Sequence, residues 1–248
     1  MLIHGVPASR FFISRFLWAT RLSSLFTFHT ASGYNLRFYP STGSATMWCN
    51  PYFYKNEEQI LQQHLRPGDI FVDVGANIGC LTLFASQLVG NSGHVFSIEP
   101  HPRTVSYLRG NVALNRRTNI TVIHAAIGDH KGSVCLSDRR SDDQNRVVEA
   151  GVPVQLDTLD SLLPDVHIRL LKIDTEGFEL FALRGAQRTL QNTDLVYVES
   201  CEEHFQKYGY STPDLLALLT THGFDTGRPP DYLSQSCENL FARRHHAD

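Results

Sequence analysis

The chain has 248 residues, a formal net charge of −3 and five cysteines. That length accommodates one α/β domain with a short elaboration, and the near-neutral balance excludes a strong overall field for nucleic acid or anionic lipid. Cys49, Cys80, Cys135, Cys201 and Cys237 are scattered and lack a Cys-x-x-Cys pair, so no zinc or redox site is expected and a reducing, cytoplasmic setting fits best.

Residues 1–56 contain no acid, whereas Arg10, Arg15, Arg21, Arg37 and Lys55 are positive. Phe11 to Trp18 is apolar, but Arg15 interrupts it and it falls short of the roughly 20 residues that span a bilayer. A helix packed on the domain or on a partner is the leading expectation. Peripheral membrane contact and a targeting segment are the alternatives, and the surface could also pair two subunits as a homodimer. Leu25 to His29 and Asn35 to Tyr39 flank a Ser32-Gly33 turn and predict a hairpin. Residues 1–56 therefore read as an N-terminal helix and hairpin extension, and 57–248 as the main domain. Tyr52 to Leu65 predicts a helix ended by Pro67-Gly68.

From there β and α patterns alternate. Ile70 to Val74 is a β-branched and aromatic run followed by Gly75, Gly79 and a helical pattern over 77–88. His94 to Ile98, Ile120 to Ala125, Ile168 to Ile173 and Asp194 to Val198 predict further strands, with Val152 to Leu156 a shorter extended piece. Helices are expected over 102–115, 159–163, 178–190 and 212–222, and Asn239 to Ala242 is a candidate last strand. Residues 129–150 are polar and read as a loop or short strands outside the core, with the charge run 138–143 a solvated surface. The alternation predicts an α/β fold with a doubly wound, mostly parallel sheet.

The chemistry is concentrated at strand ends. A dinucleotide turn needs Gly-x-Gly-x-x-Gly, whereas this chain has Gly75-Ala76-Asn77-Ile78-Gly79, with an Asn side chain in the middle of the loop. Such a loop suits an amino-acid-like group better than two phosphates, and S-adenosyl-L-methionine presents one. Asp73, closing the strand, can accept from its amine. Glu99, about twenty residues past Gly79, can accept from both ribose hydroxyls, and Pro100 can lie against the adenine. Ala126 and Ile127 offer an apolar wall on the other face, with Asp129 in reach of the exocyclic amine. Lys172-Ile173-Asp174-Thr175-Glu176-Gly177 ends a core strand and opens a helix, which brings carboxylates to the same edge. Asp174 is the expected acceptor-side residue, as positioner, base or metal ligand, while Glu179 has the plainer role of an acid at a helix N-terminus. Glu199 and His204 are alternative bases. A divalent metal shared by His204 and Asp174 is a minor alternative, and no metal is predicted.

These motifs in this order, from Pro67 through Gly79, then Glu99-Pro100, Leu156-Asp157-Thr158-Leu159-Asp160, Lys172 through Glu179 and Leu183-Arg184-Gly185-Ala186, resemble the FkbM family of methyltransferases over roughly residues 50 to 243. The resemblance implies a class I, Rossmann-like fold of seven strands with the last antiparallel, S-adenosyl-L-methionine as cofactor, and methyl transfer to a hydroxyl of a small-molecule or glycan acceptor. Two rival readings stand beside it: a nicotinamide-dependent oxidoreductase, disfavoured by the missing middle glycine, and a catalytically silent cofactor-binding module of the same fold.

Overall fold

Runs such as Ile70–Val74 and Ile168–Ile173 have too little polar surface for a solvent-facing strand, and such runs end up in parallel sheets covered on both faces. The computed structural model describes residues 2–3, 6–19, 23–138, 145–234 and 236–245. It opens with β1 (Leu2–Ile3), β2 (Val6–Pro7) and α1 (Ala8–Ala19), then the antiparallel pair β3 (Thr27–His29) and β4 (Asn35–Arg37). Next come α2 (Thr42–Cys49), which the sequence pattern did not predict, and α3 (Lys55–His64). Ser41 starts α2 by accepting from the Ser44 amide, a side-chain cap that satisfies an otherwise orphaned N–H.

The core follows as β5 (Ile70–Val74), α4 (Cys80–Val89), β6 (His94–Ile98), α5 (Pro102–Leu114) and β7 (Ile120–Ile123). The chain then leaves the main sheet for β8 (Ala126–Ile127), β9 (Gly132–Leu136), β10 (Val147–Val148) and β11 (Val152–Asp157), which form a small separate sheet. It returns through α6 (Leu159–Leu162), β12 (Ile168–Ile173), α7 (Glu179–Arg184), α8 (Gln187–Gln191) and β13 (Thr193–Ser200). The last elements are α9 (Glu202–Phe205), α10 (Thr212–Thr221), β14 (Phe224–Asp225) and β15 (Glu238–Arg244).

The seven-stranded sheet has the order β14-β15-β13-β12-β5-β6-β7. β12, β13, β5, β6 and β7 are parallel, and β15 runs antiparallel to β13. After β5 the chain winds outward through β6 and β7, then crosses back to lay β12 on the other side of β5. That reversal leaves a crevice at the carboxyl ends of the strands, where open α/β sheets bind ligands.

Two expectations are corrected. The helix over 178–190 is two helices, broken where Gly185 presses on the backbone of Gly128: a Cβ there would stand 2.0 Å from the Gly128 oxygen. Cys201 and Cys237, read as scattered thiols, are joined as a disulfide, while Cys49, Cys80 and Cys135 are free. Residues 36 apart in sequence gave no local signal for that pairing. The hairpin region packs on the main domain, with Tyr34, Leu36 and Met47 buried in one cluster with Ile78, Cys80 and Leu83. Most of the charge run, residues 139–143, lies outside the described residues.

The N-terminal helix turns Ser14 and Leu17 inward and leaves Phe12, Ile13 and Phe16 exposed. Arg10 pins it to α2, donating to the Trp48 carbonyl and lying over the Trp48 ring. Among the described residues no helix is long and apolar enough to cross a membrane.

Candidate active site

A cavity of about 350 Å³ opens at the carboxyl edge of β5, β6, β12 and β13. Within the usual range for small-molecule sites, it has two differently built sides. Of the expected cofactor residues, Asp73, Gly75, Ala76, Asn77, Glu99, Pro100, Ala126 and Ile127 all line it.

On one side the backbone does most of the work. Gly75, Asn77 and Gly79 have φ of 77°, 51° and 92°, the left-handed region that favours glycine. A Cβ on Gly75 would stand 1.7 Å from the Asp174 carbonyl oxygen, so no other residue fits that crossing of two strand ends. The amides of Gly75 and Ala76 both donate to the Ile98 carbonyl, and Gly79 starts α4 without lining the cavity. Glu99 is buried, with Oε2 accepting from the Asn77 amide and Oε1 from the His101 amide, each at 2.9 Å. Both carboxylate oxygens are thus held by backbone amides, which fixes Glu99 in place at the cavity. A floor of left-handed backbone, a pinned acid and the apolar pair Ala126 and Ile127 fit a nucleoside with a ribose diol. Asp129 does not belong to it. That residue pairs with His130 at 2.7 Å instead.

Asp73 lies deeper, buried at the end of β5, where the Thr82 hydroxyl donates to Oδ2 at 2.6 Å. Lys172, on the neighbouring strand β12, reaches 3.5 Å from Asp73 and 3.3 Å from Asp174. Burial works against that ammonium, but the charges of Asp174 and Asp73 outweigh it and hold its pKa above the usual lysine range. The sequence reading gave Lys172 no role. Its signal was a lysine inside an otherwise apolar strand, a placement that requires a partner.

On the other side, side chains dominate. Asp174, Glu176 and Glu199 all face the cavity, and His204 stands behind them, its Nδ1 3.6 Å from Glu176 and 3.9 Å from Glu199. Glu199 is pushed up to about 9, first by burial and then by the negative charges of Asp174, Glu179 and Glu176. Burial, with help from Lys207 and Arg146, lowers the His204 pKa. Glu179 does not face the cavity. It is fully buried and accepts from the amides of Thr175 and Gly177, which holds the turn between β12 and α7. That is the structural role expected of it.

Several lining residues had no readable signal: Phe53, Tyr54 and Glu57 around the start of α3, Asn145, Arg146 and Val147 at and just before β10, Tyr197 on β13 and Asn239 on β15. No residue of 200–212 lines the cavity, so His204, read from the sequence as an alternative base, does not reach it.

A seven-stranded, doubly wound sheet with β15 reversed beside β13, carrying a small-molecule-sized cavity at its carboxyl edge, defines the class I methyltransferase architecture. The model of the methyltransferase FkbM domain matches residues 73–226, and the chain belongs to that family. Its cofactor is S-adenosyl-L-methionine, and the nicotinamide alternative falls with this assignment.

Among characterised relatives, Methyltransferase 1 of Beauveria bassiana is 28% identical over 188 residues, covering 64% of this chain and 73% of the relative. Hexuronic acid methyltransferase AglP of Haloferax volcanii is 28% identical over 149 residues, covering 57% and 59%. The 31-O-demethyl-FK506 methyltransferase FkbM of Streptomyces tacrolimicus is 44% identical over 69 residues, which is 27% of this chain and 25% of that protein. Among solved structures, the methyltransferase FkbM from Methylobacillus flagellatus KT superposes with a TM-score of 0.46 at 19% identity, covering 81% of this chain and 54% of that one.

Proposed function

We propose that this methyltransferase acts on a hydroxyl of a sugar or other polyhydroxylated small molecule, making a methyl ether. The observation that carries the reading is the ring of carboxylates, Asp174, Glu176 and Glu199, on the cavity wall that Glu99 does not occupy. Carboxylates accept from hydroxyls, and the nearby rings of Phe53, Tyr54 and Tyr197 offer flat apolar faces of the kind that sugars pack on. Arg146, also lining the cavity, adds a cation that an acidic sugar would satisfy. The names of two relatives agree with it, one acting on a hexuronic acid and the other at an oxygen.

In this reading Glu99 holds the ribose diol, and the glycine turn lets the backbone approach the rest of the nucleoside. Ala126 and Ile127 cover the base. S-adenosyl-L-methionine supplies a methyl group already activated on sulfur, so the protein's task is mainly alignment. Asp174 takes the acceptor's hydroxyl proton, because it is the carboxylate that ends the strand at the crevice with an exposed side chain. Glu199, which holds its proton near neutrality, is the poorer base. Lys172 steadies Asp174 from below.

The test is transfer of labelled methyl from the cofactor to a panel of sugars, uronic acids and hydroxylated natural products, with the product's methyl position read by NMR. Label in an ether is expected. Label on nitrogen or carbon, or no transfer to any acceptor by protein that binds S-adenosylhomocysteine, would overturn the reading.

A further inference from the structure

At the acceptor wall, three groups able to ligate a metal converge from three separate elements, Glu176 and Glu199 facing the cavity and His204 behind them. Glu176 sits on the turn after β12, Glu199 near the end of β13 and His204 in α9. One ligand atom from each lies within 4.8 Å of the others. Glu199 Oε2 and His204 Nδ1 are sealed from solvent yet make no hydrogen bond to any described group. Buried polar atoms in native proteins are bonded in about nine cases out of ten, and a missing ion is a recognised reason for the exceptions. The spacing is also held from outside, since a Cβ on Gly177 would stand 3.1 Å from the His204 Cβ and 2.6 Å from the Tyr208 ring.

We propose that Glu176, Glu199 and His204 bind one divalent cation of the manganese type, which takes the acceptor's hydroxyl oxygen as a further ligand. Two carboxylate oxygens and one imidazole nitrogen form a mixed hard and borderline set that suits manganese better than calcium or magnesium, which prefer oxygen alone. Bonds of about 2.1 Å put neighbouring ligand atoms about 3 Å apart, so the observed 3.6 and 3.9 Å need only a small contraction. Three protein ligands leave coordination positions open, as a site that must take up a substrate oxygen requires.

This deepens the proposed function and rests on it. Bound to the cation, the hydroxyl gives up its proton to Asp174. The oxygen's electron pair then forms the new C–O bond to the methyl carbon while the C–S pair returns to sulfur, leaving a neutral thioether. A second set, Cys201, His204 and Cys237, shares the histidine, but its two sulfurs are joined to each other and offer no thiolate.

Metal-stripped protein titrated with MnCl2, followed by calorimetry and by the EPR signal of free Mn2+, tests the site without reference to turnover. One saturable site is expected, weakened at least about tenfold by Glu199→Gln and by His204→Ala, with S-adenosylhomocysteine affinity unchanged in both. Should either variant fail to bind that nucleoside, Glu176→Gln takes its place in the same titration. Absence of saturable binding, equal affinity in the variants, or loss in Cys237→Ser rather than Glu199→Gln would overturn the proposal. Failure here leaves methyl transfer standing, whereas failure of the functional reading shows as Mn2+ binding without transfer.

Discussion

The two walls of the cavity are made by different means. On the proposed cofactor wall, positions are set by backbone: left-handed Gly75 and Asn77, two amides on the Ile98 carbonyl, and a glutamate clamped by the amides of Asn77 and His101. On the proposed acceptor wall, positions are set by side chains from the turn after β12, from β13 and from α9 whose charges oppose one another, and without a cation Glu199 answers by holding its proton. Backbone geometry tolerates little variation, because a change in φ moves everything after it. Side-chain geometry can be altered one residue at a time, which suits the wall that must differ between substrates. Binding the cofactor and choosing the acceptor should therefore separate under mutation.

The largest effect should come from Asp174→Asn. Removing the proton acceptor is expected to lower kcat by about 10²- to 10⁴-fold, while calorimetry shows S-adenosylhomocysteine affinity within about threefold of the parent. A comparable loss of nucleoside affinity would place Asp174 on the cofactor wall and dissolve the comparison. Next comes Lys172→Met, at the seam between the walls. With its cation gone, Asp73 stays buried beside Asp174 without a counter-charge, and breaking such a pair costs about 3–5 kcal/mol, measurable by urea unfolding. Adding Asp73→Asn should recover most of it. A loss under about 1 kcal/mol in the single variant would mean that Lys172 is not holding the two walls together. The smallest is Glu99→Ala, expected to weaken S-adenosylhomocysteine by about 10- to 100-fold through the loss of charge-assisted bonds of about 1.5–3 kcal/mol, with kcat at saturating cofactor little changed.

Much of the geometry of the wall around Gly75 and Glu99 was legible because its causes are local. Gly75, Asn77 and Gly79 fall within one turn, and Glu99 lies at the end of the very next strand, so spacing along the chain nearly equals spacing in the site. The same holds for Ile70–Val74, His94–Ile98 and Ile168–Ile173, where apolar runs bounded by turn residues coincide with the strands observed. Where reading failed, the cause was contact across distance. The break in the helix after residue 184 depends on the backbone of Gly128, and the Cys201–Cys237 bridge depends on β15 returning beside β13. Asp129 was misplaced because the chain leaves the main sheet just before it to build a smaller one.

By itself, then, the sequence determined the strand and helix alternation, the glycine turn and the acid just past the next strand, since each follows from residues a few positions apart. Only the tertiary structure decided which carboxylates share a wall, that Lys172 lies between Asp73 and Asp174, and that Glu176, Glu199 and His204 meet. The reason is physical: electrostatic and steric neighbours are set by the order of strands in the sheet, and that order is fixed by how the whole core packs.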